Sequence, residues 1–382
     1  MSDVRSFAWI VVACELLAGC LPGEAGSSGA GAPDEVGTGE ATSAFSGPTC
    51  PDFGCGANSP TLVDGVAFDE LDAAGAPDHD GIQIVAAVQS GVPVMLHVDR
   101  HTMTAVATDG SGIVFAHGGL VGTVVTLKKA GQTYGLKIAG VDENSLRFWA
   151  GSLDEVVPFY RILVSPPGTQ EFKDPVCRKN VAATEKVWAP VEHSALAFAG
   201  DRYEPVSKRV ANENRGTTWF NLACAGSATA KLHLMRHTNA GAWTPSTWHP
   251  GSDVRAPGAP FHTDVAQRQA MLKMFAADYC GTGQPFTVDG QPLLYDDSKH
   301  WFAPGSIGVL ALSVAADGSL SPSGAKMEAL WTDQGALCVN QPRLVARTDV
   351  PCLTSATPLP VCKPDLMAVW DTQVHVISVN PP

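Results

Sequence analysis

Eight cysteines that follow residue 20 constrain the fold of this chain more strongly than any other feature of its sequence. An even number of cysteines in an exported chain indicates disulfide bonds. Two pairs are close in sequence, and each is predicted to close a short loop, Cys50 with Cys55 and Cys352 with Cys362. The four between them allow three pairings, which the sequence does not separate. The eight disulfide candidates are Cys50, Cys55, Cys177, Cys224, Cys280, Cys338, Cys352 and Cys362.

The first twenty residues have the pattern of an export signal. Arg5 precedes the apolar run 7–13, and Leu17-Ala-Gly-Cys20 places small residues before a cysteine, as a signal peptidase requires. This resembles the lipobox of bacterial lipoproteins, which implies a signal peptide over residues 1–19 and an acylated N-terminus at Cys20. A generic secretory peptide is the alternative. Leu21 stands where an aspartate would favour the inner membrane, so an outer-membrane lipoprotein, facing the periplasm or the surface, is expected.

Residues 20–60 are predicted to be a disordered tether. The segment is rich in Gly, Ala and Ser and contains no basic residue, so it cannot bury enough apolar surface to offset the entropy of ordering. A flexible chain of this length reaches on the order of 30 Å. The segment would therefore connect a lipid anchor in the membrane to a folded domain.

The folded part of the chain is predicted to be mainly β (α+β), with antiparallel sheets arranged as a sandwich or an open barrel. Gly (38) and Pro (28) are abundant among the 382 residues, which suits a turn-rich β protein. There is no alternation of strands with helices, so a doubly wound parallel sheet is excluded. In the β-rich N-terminal region, 61–167, strands are predicted near 92–98, 113–116, 121–127, 134–139 and 160–164.

One prominent helix is predicted at about 263–280. Thr263 or Asp264 can cap its first turn, and Gly281 can take the left-handed conformation just past its end. Further strands are expected at 217–223, 230–235 and 307–314. The helix is predicted to bury one face, formed by Val265, Leu272, Phe275, Ala276 and Tyr279, while Gln267, Arg268 and Lys273 face elsewhere.

Several short motifs in the second half of the chain resemble the ADYC domain, a family named for the tetrapeptide found here as Ala277-Asp-Tyr-Cys280. The resemblance implies an ADYC-like domain at 168–347 followed by a C-terminal extension, 348–382. It also implies an exported protein of the kind found mostly in myxobacteria, without implying a reaction. The other matching motifs are Leu222-Ala-Cys224, Ala230-Lys231, Asp289-Gly-Gln-Pro-Leu-Leu-Tyr-Asp296, Glu328-Ala-Leu-Trp331 and Gly335-Ala-Leu-Cys338.

The family pattern also has two further cysteines, at the positions that Leu232 and Met271 occupy here. Both are replaced together by apolar residues, as expected if the two cysteines normally form a bridge. The resemblance therefore predicts that Leu232 and Met271 touch in the core. Such a contact recovers only part of the roughly 2–4 kcal/mol that a disulfide contributes.

Two groups of polar residues are candidates for a metal or hydrolytic site. His97, Asp99 and His101 alternate, so on a strand they would project from one face and suit zinc or a similar ion. The alternative interpretation is the solvated face of a half-buried strand. Asp296, Asp297 and His300 follow a turn, and paired carboxylates can bind a hard cation or transfer protons; an exposed acidic loop is the alternative.

Complete catalytic motifs are absent from the sequence. His117-Gly-Gly119 resembles the oxyanion loop of lipases, but the Gly-x-Ser-x-Gly elbow that such enzymes need does not occur. Cys280 is expected to be in a disulfide and not a nucleophile, because an oxidising compartment and the neighbouring Asp278 disfavour a reactive thiolate.

These features predict a non-catalytic binding or structural module of the cell envelope. The expected partners are the membrane, through the lipid anchor, and an envelope protein or a glycan. The net charge of −13 excludes nucleic acid as the main partner, and no cofactor is expected. The alternative is an envelope hydrolase or a metal-dependent enzyme with its site among His97, Asp99, His101, Asp296 and Asp297.

The lipid anchor can be tested by metabolic labelling with a radioactive fatty acid. We expect the wild-type protein to incorporate label, because Cys20 would carry the acyl chains. A wild-type chain that is produced and exported without label would remove the anchor from this account.

Overall fold

Nineteen strands and three α-helices make up the parts of the chain that the computed structural model describes. These parts are 59–144, 146, 156–177, 193–204, 207–211, 218–225, 227–239, 263–284, 286, 294–297, 313–314, 320–321, 326–343, 350–363 and 376–380. The predicted signal peptide and nearly all of the predicted tether, with Cys20, Cys50 and Cys55, lie outside them. Within these parts no helix is long and apolar enough to span a membrane.

The first half of the chain forms β-hairpins and meanders. Ser90-Gly91 joins β2 to β3 and Ala130-Gly131 joins β6 to β7, and all four residues have positive φ, as the tight two-residue hairpin turn requires. The elements are β1 (Glu70–Asp72), β2 (Gln83–Gln89), β3 (Val92–Asp99), β4 (Thr102–Ala107), β5 (Val114–Ala116), a 3-10 helix (His117–Leu120), β6 (Val124–Lys129), β7 (Gln132–Asp142), β8 (Phe159–Ser165) and β9 (Asp174–Pro175).

The second half of the chain mixes short strands with the helices. Its elements are β10 (Ser194–Phe198), β11 (Arg202–Glu204), β12 (Arg209–Ala211), β13 (Trp219–Cys224), α1 (Ala228–Leu234), α2 (Val265–Ala276), β14 (Leu294–Asp297), β15 (Ser313–Val314), β16 (Leu320–Ser321), β17 (Lys326–Thr332), β18 (Gly335–Val339), α3 (Pro351–Thr354) and β19 (Val376–Asn380).

The largest sheet has eleven strands and continues across the boundary that was expected near residue 168. Its order is β1-β13-β10-β8-β7-β6-β2-β3-β4-β5, with β9 paired to β8, and every pairing is antiparallel. A four-stranded sheet has the order β14-β19-β17-β18, while β11 pairs with β12 and β15 with β16. The prediction of a mainly β, antiparallel fold is confirmed.

Strands β10 and β13 separate two hydrophobic cores. Both strands are buried along their whole length. In β10, Leu196 and Phe198 face the core around α2, whereas Ala195 and Ala197 face the core inside the large sheet. The side chains of a strand alternate between its two faces. One strand can therefore contribute to both cores only if each side chain is apolar or has its polar atoms hydrogen-bonded.

Helix α2 begins as predicted and ends earlier than predicted. The Asp264 carboxylate caps it by accepting from the Gln267 N–H at 2.7 Å. The helix ends at Ala276 because Ala277 takes the left-handed conformation, with φ of 52°. The positive φ of Gly281 therefore belongs to the loop that follows and not to the helix end.

The predicted polar face of α2 is wrong, because every residue from Gln267 to Ala276 is buried. The helix packs against α1, β12 and the strands β17, β18 and β19. Its buried polar side chains form ion pairs and hydrogen bonds with neighbouring residues. Arg268 binds the Asp201 carboxylate through Nε at 2.5 Å and Nη2 at 3.0 Å, and Gln269 accepts from the Val210 N–H at 2.7 Å.

Residues 230–235 were predicted to be a strand and form most of α1 instead. Ser227 caps this helix by accepting from the Ala230 N–H at 3.1 Å, and this capping signal outweighs the apparent alternation. Leu232 on α1 and Met271 on α2 are both completely buried in the same core, on two helices that pack together. Of the strand predicted at 307–314, residues 313–314 are described, and they form β15.

The predicted pairing of Cys352 with Cys362 is wrong. The structure pairs Cys280 with Cys352 and Cys338 with Cys362, and it pairs Cys177 with Cys224. The short-loop rule failed because the fold brings Cys280, 72 residues away in the sequence, beside Cys352, and Cys338 of β18 beside Cys362. The C-terminal residues are thus part of the fold, as β19 also shows by pairing with both β14 and β17.

Candidate functional site

The Ala277-Asp-Tyr-Cys280 tetrapeptide connects α2 to the loop that follows it, which we call the ADYC loop. Each of its four residues makes a different structural contribution. Ala277 is completely buried and holds the left-handed turn that ends α2. A β-branched or bulky residue would be strained at this φ. The Ala277 N–H donates to Met274 O at 3.0 Å and the Asp278 N–H to Lys273 O at 2.9 Å, which satisfies the last carbonyls of the helix.

Asp278 organises the loop that follows the helix. Its carboxylate accepts from the Thr282 N–H at 3.1 Å and from the Gly283 N–H at 2.8 Å. Lys273 Nζ lies 2.6 Å from Asp278 Oδ2 and also donates to Ser207 O at 3.2 Å. Both charged side chains are almost completely buried. A buried charge is tolerated only when it is paired and hydrogen-bonded, and here both conditions hold.

Tyr279 attaches this loop to β17 of the four-stranded sheet, and Cys280 attaches it to α3. The Tyr279 hydroxyl binds Glu328, accepts from the Arg343 N–H at 3.3 Å, and its ring stacks on Trp331 with centroids 5.1 Å apart. Burial, followed by the Glu328 charge, raises the pKa of Tyr279 well above its ordinary value. Cys280 is bonded to Cys352. The expectation that Cys280 is a disulfide partner and not a nucleophile is confirmed.

A second group of charged residues lies around β1, just before this strand and in the segment that connects it to β2. We define the Asp69 cluster as Asp69, Asp78, His79 and Asp80. His79 stands between two carboxylates, with Nδ1 3.7 Å from Asp69 Oδ1 and Nε2 3.3 Å from Asp80 Oδ2. Asp78 Oδ1 accepts from the backbone N–H groups of Asp80 at 2.9 Å and Ile82 at 2.8 Å.

Three oxygens of the Asp69 cluster accept no hydrogen bond from any part of the chain that the structure describes. They are Asp69 Oδ1, Asp78 Oδ2 and Asp80 Oδ2. Burial, together with the charges of Glu70 and Asp78, raises the pKa of Asp69 well above its ordinary value. Burial also raises the pKa of Asp78 from 3.8 to about 7, although the hydrogen bonds from Ile82 and Asp80 oppose the shift.

Lys208 connects the Asp69 cluster electrostatically to the ADYC loop. Burial lowers the pKa of its amine to about 7, while the charges of Asp69 and Asp278 oppose this shift. Lys208 precedes β12, and its carbonyl accepts from Gln269 of α2 at 3.0 Å. Shifted pKa values that cluster in this way mark candidate functional sites. Chemically, the arrangement can bind and release protons near neutral pH.

The predicted metal set His97, Asp99 and His101 is not brought together. His97 and Asp99 lie on the outer face of β3, whereas His101 is buried in the turn that follows. His101 lies near His233, with ring centroids 5.8 Å apart, and burial lowers the pKa of His233 well below its ordinary value. Among the described residues, no group of three or more His, Cys, Asp or Glu side chains is arranged to hold a metal ion.

The acidic loop predicted at 296–300 is only partly described. The backbone of Asp296 and Asp297 forms β14 and pairs with Ile377 and Val376 of β19. Their side chains and His300 lie outside the described residues. His117 begins the 3-10 helix between β5 and β6 and contacts Glu143, so His117-Gly-Gly119 is part of a strand-to-strand connection.

The sequence interpretation missed the Asp69 cluster. The chain turns at Asp80-Gly81, where Gly81 has a φ of 76°. Asp78-His-Asp80 was the one available hint, because three titratable residues in a row are unusual in a plain turn. Asp69 itself carries no sequence signal, since it comes near them only through the fold.

An exposed apolar surface lies at the other end of the large sheet. We define the apolar face as Val88, Pro93, Met95, Val106 and Val114. Val88 is paired with Pro93, Met95 with Val106, and Val106 with Val114, so these side chains form a continuous row across β2, β3, β4 and β5. Val114 is 56% exposed and Met95 43% exposed.

Comparison with known proteins gives one match. The family model of the ADYC domain matches residues 117–345, which is more than half of the chain and starts earlier than the expected 168. No curated protein and no solved structure matches the chain.

The close contact between the ADYC loop and the turn from β17 to β18 can be tested with Gly281→Ala. A Cβ on Gly281 would lie 1.6 Å from Gln334 O, so the two backbones would have to separate. We expect the free energy of unfolding to fall by at least about 3 kcal/mol, measured by denaturant titration.

Gly110→Ala is the matched control for this substitution. Gly110 also has positive φ but has nothing within 4 Å of an added Cβ. It should lose only the roughly 1–2 kcal/mol of conformational strain. Equal losses for the two variants would contradict the proposed contact.

Proposed function

The chain belongs to the ADYC-domain family, and from that premise we propose that it is an exported, lipid-anchored envelope protein that binds another envelope protein. The three disulfides support export, because such bonds form and persist in oxidising compartments. The resemblance of residues 17–20 to a lipobox supports the anchor and the outer membrane. Binding is the activity that the surface favours.

The observation that carries the binding proposal is the distribution of exposed hydrophobic side chains. Seven large hydrophobic residues are exposed among the described parts of the chain, and three of them, Val88, Met95 and Val114, belong to the apolar face. Soluble proteins rarely gather exposed apolar residues on one surface unless that surface contacts a partner. The seven are Val85, Val88, Met95, Ile113, Val114, Val121 and Val361.

A protein partner fits the apolar face better than a lipid surface does. Strand alternation places exposed charges of both signs, Asp99 and Lys128, on the same side of the sheet as the apolar face. An apolar centre with a mixed polar rim is typical of protein interfaces, whereas an anionic membrane surface selects clustered Lys and Arg. In addition, β5 lies at the edge of the sheet and pairs only with β4 among the described strands, so its outer edge can pair with an extended segment.

The proposal is tested by site-specific photo-crosslinking of the anchored protein in its native envelope. A photoreactive residue at position 114 should give one discrete protein adduct, and the same residue at Thr133, exposed on β7, should not. Met95→Glu should reduce the adduct at position 114 about tenfold, which corresponds to a loss of about 1.4 kcal/mol of binding free energy.

Thr133→Glu is the matched control, because it adds the same charge to an exposed strand position outside the apolar face. It should leave the adduct at position 114 unchanged. A crosslink that persists in Met95→Glu, or that joins only lipid, would contradict a protein partner at this face.

A further inference from the structure

The Asp69 cluster lies between the β1–β13 pair and the segment that connects β1 to β2. Asp69 immediately precedes β1, which pairs with β13 of the matched domain. Asp78, His79 and Asp80 belong to residues 73–82, the segment that connects β1 to β2. The segment packs closely on β2, since a Cβ on Gly75 would lie 2.8 Å from Ile84 O. Any force within the cluster therefore acts between this segment and the β1–β13 pair.

The side chains of the Asp69 cluster contain more hydrogen-bond acceptors than donors. Asp69 and Asp78 are both 7% exposed, and each has an oxygen that accepts no hydrogen bond from the described residues. When such a carboxylate is ionised, that oxygen carries charge without water or a hydrogen-bond donor beside it, whereas a protonated carboxyl group costs far less to bury. The geometry alone therefore favours bound protons.

The charges that face the cluster come from every element packed against it. Glu70 of β1 adds a further negative charge, but it is paired with Arg202 of β11 through Nε at 2.7 Å. Asp80 faces His79, and Lys208 faces Asp69. Burial lowers the pKa of His79, so this imidazole does not supply a strong compensating charge at neutral pH.

We propose that the Asp69 cluster is a pH-sensitive latch, which holds residues 73–82 against the β1–β13 pair when it binds protons and loosens them when its carboxylates ionise. Only one described backbone–backbone hydrogen bond joins the segment to the residue before β13, from Ala73 N to Thr218 O at 2.9 Å, and the others are local turn bonds. Within the segment they include Asp78 N to Ile82 O at 2.9 Å and Gly81 N to Asp78 O at 3.2 Å. An envelope protein exposed to external pH would in this way change the mobility of one edge of its matched domain.

The direction of the pH effect follows from proton binding. The pKa of Asp78 is about 7 in the folded chain and 3.8 when unperturbed, so between these values the folded state binds more protons. Its contribution to stability is complete below pH 4 and is lost as the pH rises to 7. Lys208, whose pKa falls from 10.5 to about 7, acts in the opposite sense above pH 7. The Asp78 contribution is therefore best isolated below pH 7 and by substitution.

Asp78→Asn tests the latch directly. The amide keeps the acceptor for the Asp80 and Ile82 N–H groups but cannot ionise. We expect Asp78→Asn and the wild type to have the same Tm at pH 4, and the variant to exceed the wild type by at least about 2 °C at pH 7. Hydrogen exchange of residues 73–82 at pH 7 should be slower in the variant, with no difference at pH 4.

Asp109→Asn is the control, because Asp109 accepts from the Ser111 N–H at 2.9 Å in a similar turn but is exposed, and its hydrogen bonds with Ser111 lower its pKa. Its difference in Tm from the wild type should not change between pH 5 and pH 7. A difference between Asp78→Asn and wild type that is the same at pH 4 and pH 7, or that is absent at both, would overturn the latch. These readouts concern only this segment, so they stand or fall independently of crosslinking at the apolar face.

Discussion

The buried ion pair between Lys273 and Asp278 is the interaction on which the arrangement of this fold depends. It joins the last turn of α2 to the loop that follows it, and through Ser207 O it also holds the segment before β12. Burying two charges is costly, and the cost is offset only if the geometry and the additional hydrogen bonds are good. The Asp278 carboxylate meets that condition by accepting from two backbone N–H groups of the loop as well. The pair thereby fixes where the chain leaves the helix, which decides where Tyr279 meets β17 and where Cys280 meets Cys352 of α3.

The two hydrophobic cores are connected through strands that contribute side chains to both of them, and not through a linker. α2 is surrounded by α1 and by the strands of the second sheet, while β10 and β13 present alternate residues to this core and to the interior of the large sheet. A disulfide also crosslinks the core inside the large sheet, because Cys177, just after β9, is bonded to Cys224 of β13. Of the two proposed sites, only the apolar face lies away from this centre, because the charge of Lys208 couples the Asp69 cluster to Asp278. The apolar face occupies β2 to β5, and the Asp69 cluster lies at the edge where β1 joins the sheet.

Sequence reasoning succeeded where local chemistry decides the outcome. The hairpins of the N-terminal half follow from alternation and from turn residues with positive φ, and the start of α2 follows from the Asp264 cap. It failed where tertiary contacts override local preference. Lys273 and Arg268 look like solvent-facing residues until Asp278 and Asp201 are brought beside them. Cys352 pairs with Cys280, a residue 72 positions away in the sequence that only the fold brings beside it. The Asp69 cluster was not predictable for the same reason, since only the fold brings Asp69 near His79.

The central role of the buried pair is tested most directly by the free energy of unfolding of Lys273→Met, compared with Lys173→Met. Lys173 forms an ion pair with Glu171 in which both side chains are largely exposed, so its removal should leave the unfolding midpoint unchanged. Lys273→Met leaves the Asp278 carboxylate buried without its charged partner, and the account predicts a loss of about 3–5 kcal/mol. If Lys273→Met unfolds at the same denaturant concentration as Lys173→Met, the pair does not organise the fold and the account is wrong.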